Sequence, residues 1–121
     1  MTFQSLPEFD KDLKHLIKKY SSLNEDISIL KKVLEIFPKE RPPFSFRLNN
    51  ISKNNRIIKI KKIACKSLMG KGANTGLRII YDYIEEQDLI FLIELYHKSS
   101  KETENRERII LYCNGNFLIK H

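Results

Sequence analysis

Between residues 9 and 20, Phe9, Leu13, Leu16, Ile17 and Tyr20 recur every three or four positions, while Lys11, Lys14, Lys18 and Lys19 fill the opposite side. That period sets the apolar residues on one stripe of an α-helix. Ser5 with Glu8 three residues on has the spacing of a capping box, and Pro7 is tolerated in a first turn. A second stripe, Leu23, Ile27, Leu30, Leu34 and Phe37, begins after Ser22, again with a glutamate, Glu25, three residues on. Pro38 stops it. Two such helices joined by a few residues form an antiparallel hairpin, facing each other or sharing one sheet.

The period then changes. "KERPPFSFRLNNISKNN" is irregular, because Pro42 and Pro43 exclude regular helix and the asparagines favour turns. In "RIIKIKK" the period is two. Ile58 and Ile60 point one way, and Lys59 and Lys61 the other, which sets two ammonium groups side by side on the exposed face of a half-buried strand. "CKSLMGKGANTG" is a glycine-punctuated loop. "LRIIYDYI" and "DLIFLIELY" are strands rich in β-branched and aromatic residues, joined by a hairpin turn at "EEQD". Residues 89–95 are apolar on both faces apart from Glu94, the pattern of a central strand. A last polar helix starts near Lys101 or Glu102 and buries little beyond Ile109 and Tyr112. "NGNFLIKH" is either an extra strand after an Asn-Gly turn or a frayed tail. With a short strand at residues 2–5, the expected fold is α+β: an N-terminal two-helix hairpin packed on a small antiparallel sheet of about four strands, with a short C-terminal helix. Parallel βαβ winding would need helices between the later strands, and none fits there.

The chain has 121 residues, 41% of them hydrophobic, and reads as a single domain over residues 1–121 with a core of its own. No window offers the ~20 consecutive apolar residues of a spanning helix. The start, "MTFQSLPEFDKD", lacks the basic cap and apolar run of a secretory signal. Two lone cysteines, Cys65 and Cys113, fit reduced thiols in a cytoplasm. His15, His97 and His121 are scattered, so no metal site and no cofactor are expected. Net charge is +7, and it is unevenly spread. Residues 38–78 hold eleven basic side chains and one acid, Glu40, a local +10 against −3 for the remainder. Such a concentration is the electrostatic signature of a polyanion partner. Phosphate affinity alone specifies neither a sequence nor a reaction.

"FDKDLKHLIKKY", "KIKK", "GKGANTGLRIIYDY" and "LIFLIELYHKSSKETENRERI", in that order, resemble the RelE/ParE family of toxins from type II toxin–antitoxin modules, in its RelE/HigB-like branch. The resemblance runs from about residue 3 to about residue 112. Its specific part is the GK…GxRxxY segment followed by an apolar strand ending in YxKxxKE. It implies a RelE-like fold and a cytoplasmic toxin neutralised by a cognate antitoxin. It further implies a ribosome-dependent mRNA endonuclease that inhibits translation. Such enzymes use the RNA's own 2′-hydroxyl as nucleophile, without a metal. The chemistry needs a base for the hydroxyl proton, cations for the charge building on the phosphoryl oxygens, and an acid for the leaving 5′-oxygen.

The resemblance assigns candidates to these roles. Arg78 matches the arginine of the GxR strand, and a guanidinium grips two phosphate oxygens at once, as lysine cannot. Paired with Asp82 or another carboxylate, it would be structural instead. Lys59 and Lys61 match basic positions on the preceding strand. Crowded lysines lower one another's pKa, so one is a candidate base, and otherwise both hold phosphates. Lys98 and Lys101 lie in the YxKxxK region. Lys59, Lys61, Arg78 and Lys98 are thus implied as catalytic, and Lys62, Lys66, Lys71 and Lys101 as RNA contacts. A rigid strand would aim Arg78 while the glycine loop follows RNA. For the acid, Tyr112, His97 and His121 are candidates, although Tyr112 also reads as core and His97 as a strand-end residue. His15 reads as surface. Tyr81 and Tyr83 either stack on bases or, at strand spacing, belong to the core. Met69 and the two cysteines read as structural. Two other readings remain: a ParE-like non-nuclease toxin that inhibits DNA gyrase, and an inactive RNA-binding relative. The implied partners are mRNA on the ribosome and the antitoxin, with no membrane. The antitoxin is expected as an acidic, partly disordered segment that folds across the hairpin or the sheet and obstructs the basic patch.

Overall fold

The structure is a computed structural model and describes residues 1–115. The question of a strand or a frayed tail after Gly115, and His121 with it, lies outside the described residues. The elements are β1 (Thr2–Ser5), α1 (Pro7–Ile17), α2 (Leu23–Ile36), β2 (Ser45–Arg47), β3 (Ile57–Ile60), β4 (Leu77–Ile84), β5 (Leu89–His97) and α3 (Arg106–Cys113). They build one sheet in the order β1-β5-β4-β3-β2. The α+β class, the N-terminal helix pair and the short last helix are as the sequence predicts. No helix among the described residues is long and apolar enough to cross a membrane.

The sheet departs from expectation in two ways. It has five strands, because Ser45–Arg47 pairs antiparallel with β3 despite the two prolines just before it. It is also mixed. β1 runs parallel to β5, Thr2 opposite Leu89 through Ser5 opposite Leu92, so the first strand joins the last through the intervening chain. β4 is the central strand. β5 lies inside it, between β4 and β1.

The helix starts also differ. Leu6 precedes α1 without any side-chain cap, and the Ser5 hydroxyl donates to Asp10 (2.7 Å). Ser22 is already near helical geometry, so its hydroxyl turns to Asp26 (2.7 Å) and accepts from the Ser67 backbone N–H (2.8 Å). α3 begins at Arg106, later than expected. There Asn105 accepts from the Arg108 backbone N–H (3.0 Å), the N-cap bond that starts the helix.

Both apolar stripes pack on one side of the sheet. Phe9, Tyr20, Leu23, Ile27 and Leu34 are buried there with Ile58, Ile60, Ile79, Tyr81, Leu92 and Leu95. Tyr81 is core rather than a base-stacking surface, and its hydroxyl donates to Pro38 O (2.7 Å). The other side of the sheet is shared. α3 covers one part with Ile109 and Tyr112, whose ring sits 5.1 Å from that of Phe91. The part around Arg78 is left to charged side chains.

A β-bulge decides what those side chains are. Ile80 pairs with Glu94 and Tyr81 with Leu92, so Ile93 has no opposite number. One extra residue reverses the in–out phase of the rest of the strand. Beyond it Leu95 and His97 face α1 and α2, while Glu94 and Tyr96 face the other way, with Arg78 and Lys59. α1 and α3 hold the bulge. Asp12 accepts from the Leu95 backbone N–H (3.0 Å), and Arg108 donates to Asp12 (2.7 Å) and to Ile93 O (3.1 Å).

Candidate nucleic-acid interface

Arg78 sits second on the central strand, directly opposite Tyr96 of β5. Its Nη1 donates to Lys61 O (3.0 Å) and Leu77 O (3.1 Å), backbone carbonyls rather than a carboxylate. Asp82, the alternative partner, is fully buried and engaged elsewhere. It accepts from Asn55 Nδ2 (2.9 Å), the Arg56 backbone N–H (3.0 Å) and the Tyr112 hydroxyl (2.7 Å). Two carbonyls therefore fix the direction of the half-buried guanidinium without neutralising it.

The strand's start is shaped by Gly76. Its φ is +85°, which favours glycine, and a Cβ there would lie 2.9 Å from the His97 ring. His97 itself belongs to the helix side. It stacks on Tyr20 with ring centroids 5.8 Å apart. Its Nδ1 accepts from the Ser99 backbone N–H (3.0 Å), so Nε2 carries the proton and donates to Thr75 O (2.8 Å). His97 is thus a strand-end anchor on the face away from Arg78, not an acid beside it. Tyr112 is removed from the acid role as well. Its buried hydroxyl donates to Asp82, and burial, reinforced by that carboxylate, pushes its pKa far up. His15 is exposed on α1, as expected.

The two strand lysines are not a matched pair. Lys61 is exposed just beyond β3, with Nζ 5.2 Å from the Phe46 ring centre. The Lys59 side chain is only 12% exposed, and its Nζ is 2.9 Å from Glu104 Oε1. Burial opposes its charge, but the hydrogen bond to Glu104, with Tyr96 beside it, outweighs that, so its pKa is raised. The expectation that crowding lowers a lysine's pKa, freeing it to act as a base, is reversed at Lys59. Glu104 answers in kind: burial raises its pKa, the Lys59 hydrogen bond lowers it, and the net shift is downward. Both partners are held charged.

Lys101 is likewise engaged, with the fully buried Glu94, which also accepts from the Asn105 backbone N–H (2.8 Å). Lys59 and Lys101 both approach the Tyr96 ring, at 5.8 and 5.0 Å from its centre. Lys98 is exposed at the end of β5, its N–H bonded to Gly76 O (2.9 Å). The sheet face therefore brings together Arg78, Lys59, Lys61 and Lys101. It adds three groups that sequence reasoning did not assign: Glu94, Tyr96 and Glu104. Glu94 had a signal, as the lone acid in an apolar strand. Glu104 had none, because its partner is 45 residues away.

The loop cations fall elsewhere. The loop after β3 is tied to the start of α2 through Ser67 with Ser22 and through the Lys66 N–H with Asp26. Lys66 pairs with Glu25 (2.6 Å), and Lys62 donates to Asn74. Lys71 is exposed near the loop tip. Lys62 and Lys66 line a groove of about 770 Å³ between this loop and α2. Its walls are apolar and open to water: Ile29 is 47%, Val33 44%, Phe44 48% and Met69 90% exposed. Met69, read as structural, is on the surface, whereas Cys65 is buried and Cys113 half-buried, both as free thiols.

Solved structures that share this fold include two from one bacterium. The conserved hypothetical protein HP0892 from Helicobacter pylori matches with a TM-score of 0.52 and 25% identity, over 82% of this chain and 96% of its own. A metal-bound toxin from the same organism matches with a TM-score of 0.51 and 21% identity, over 84% and 98%. No protein-family model and no curated protein matches the chain. Among the described residues no group of three His, Cys, Asp or Glu is placed to hold a metal ion.

Proposed function

We propose that this chain is the toxin of a type II toxin–antitoxin module, a RelE-like ribosome-dependent mRNA endoribonuclease acting through the Arg78 face. The observation that carries the reading is the state of Arg78. Backbone carbonyls aim it from a central strand, and its remaining donors can meet the two oxygens of a phosphodiester. The fold shared with a structure described as a toxin supports the class. In the reaction the RNA 2′-hydroxyl attacks the adjacent phosphorus and the bond to the 5′-oxygen breaks. A 2′,3′-cyclic phosphate and a 5′-hydroxyl result. One proton leaves the 2′-oxygen and one reaches the 5′-oxygen. Arg78 and Lys61 stabilise charge on the phosphoryl oxygens, and Lys59 serves as a cation rather than a base. Lys98 extends the contact along the backbone.

The second partner is a cognate antitoxin, and its docking segment fits the α2 groove. Apolar residues of an amphipathic segment would cover Ile29, Val33, Phe44 and Met69, and acidic ones would meet Lys62 and Lys66 at the rim. On this reading the segment lies on the helix side, away from Arg78, rather than across the basic patch.

The test is inducible expression in a bacterium, wild type beside Arg78→Ala, with mapping of mRNA 5′ ends. Growth arrest with new cleavage sites in translated messages, both lost in the variant, is the expected result. One observation favours a second reading: Lys59 and Lys101 are already matched to carboxylates, as a toxin that only binds its target would tolerate. Growth arrest with intact mRNA would select that reading, a ParE-like inhibitor of gyrase.

A further inference from the structure

We propose that Lys59, the Tyr96 hydroxyl and Lys101 form a phosphate subsite that Glu104 occupies in the free protein and leaves when RNA binds. The inference rests on the reading of the Arg78 face as an RNA surface. It concerns how that face is kept closed.

Tyr96 is the decisive group. It is 5% exposed, and its hydroxyl finds no acceptor among the described residues, since the Lys59 ammonium beside it can only donate. A buried hydroxyl is nearly always paired, so an orphan beside two ammonium groups is a donor lacking its acceptor. Glu104 does not supply one. Its carboxylate is planar, and it gives one oxygen to Lys59 at 2.9 Å and turns the other toward Arg106, 4.0 Å away. A phosphodiester is tetrahedral, and its oxygens lie in more than one plane. It can accept from Lys59 and from the Tyr96 hydroxyl together, with the Lys101 ammonium 5.0 Å from the ring centre.

The placement agrees with this. Tyr96 is directly opposite Arg78 across the β4–β5 ladder, so a strand of RNA held by Arg78 passes the subsite next. Glu104 belongs to neither β5 nor α3. It stands in the connection between them, one residue before the N-cap Asn105. It can therefore withdraw without breaking a strand or a helix. Stability gives little reason for the contact. A buried ion pair contributes little over a neutral packing, and this one leaves a hydroxyl unsatisfied.

The experiment measures binding of a short single-stranded RNA, uncleavable through a 2′-deoxy substitution, across a range of salt. Glu104→Gln is compared with Glu102→Gln, an exposed site that changes net charge equally. Glu104→Gln is expected to bind on the order of tenfold tighter, the worth of one charge-assisted hydrogen bond. Its log K against log salt should steepen by about 0.7, one more phosphate on a single strand. Glu102→Gln should leave the slope unchanged, and in a Lys59→Met background the Glu104→Gln gain should vanish. Equal behaviour of the two glutamine variants, or a gain that survives Lys59→Met, overturns the subsite. So does tightening for inorganic phosphate but not for RNA. If Glu104→Gln does not fold, wild-type protein provides the test. Side-chain carboxylate NMR signals should move at Glu104 on RNA addition and stay fixed at Glu40, which is paired with Arg56. A fixed Glu104 signal overturns the proposal. RNA tightening with no cleavage of mRNA by wild type would sink the nuclease reading and leave the subsite standing.

Discussion

The sheet face around Arg78 carries charge that the protein partly neutralises from within, whereas the groove along α2 carries apolar side chains that it leaves in water. On the first, Glu94 and Glu104 are drawn down onto Lys101 and Lys59, whereas the Arg78 guanidinium donates to the Lys61 and Leu77 carbonyls. On the second, α2 is apolar on two sides. Leu23, Ile27 and Leu34 face the sheet, and Ile29, Val33 and Ile36 face out. A helix with one partner needs one stripe, so a second stripe speaks for a second partner. The two regions suit different ligands: a polyanion that competes with internal carboxylates, and a protein segment that gains by covering each apolar side chain.

The comparison breaks first at Arg78. Arg78→Lys keeps the charge and loses the planar fork, and we expect cleavage to fall on the order of 100-fold. Affinity for the antitoxin should be unchanged. Rates on a translated message and antitoxin titration of the same variant decide this. If both fell together, the two surfaces would not be independent. The reverse change is Val33→Glu. It sets a carboxylate in the groove wall at a position already 44% exposed, so folding should be unaffected. Antitoxin affinity should fall roughly 30-fold, as for a binding hot spot, with cleavage intact. Isothermal titration of the purified pair measures it. A Val33→Glu variant that is still neutralised in cells would move the docking surface elsewhere.

The two regions were unequally legible in the sequence. The side of α2 that faces the sheet was plain, since Leu23, Ile27, Leu30 and Leu34 follow the helical period. The side that lines the groove was not. By spacing Phe37 belongs to that stripe, yet it is 46% exposed, and a single helical period explains one face only, so it does not mark Ile29 and Val33. At the sheet face, Arg78 was located by its place at a strand start. Its neighbours were not, because a bulge at Ile93 shifts the phase of β5 and no residue pattern marks where one falls. The Lys59–Glu104 contact joins residues 45 apart and depends on a connection with no period of its own. β2 was hidden for a related reason: three residues beside two prolines carry too little alternation to signal a strand.

A smaller effect sharpens the structural side. Gly76→Ala places a Cβ at φ +85° and 2.9 Å from His97, so the start of β4 must shift. We expect a loss of about 2 kcal/mol in urea unfolding. Because His97 is bonded on both nitrogens, the ring cannot simply swing away. Cleavage should fall with Arg78's displacement, and antitoxin binding much less.

The smallest expected effect concerns the pH dependence of the Lys59–Glu104 contact. Glu104's pKa is lowered from its usual 4.5: burial opposes the shift and the Lys59 hydrogen bond drives it. A lowered acid pKa means stability that is present above 4.5 and lost as pH falls through the folded value. Lys59's is raised from 10.5, against burial, by the same hydrogen bond. Its contribution is present below 10.5 and lost as pH rises through the folded value. The pair should therefore add a stability that is flat across neutral pH and disappears at both ends. Glu104→Gln removes both limbs at once. The difference in unfolding free energy between wild type and this variant should form a plateau with an acid and an alkaline edge. A difference that kept changing through neutral pH would mean that some other group, not this pair, titrates against Glu104.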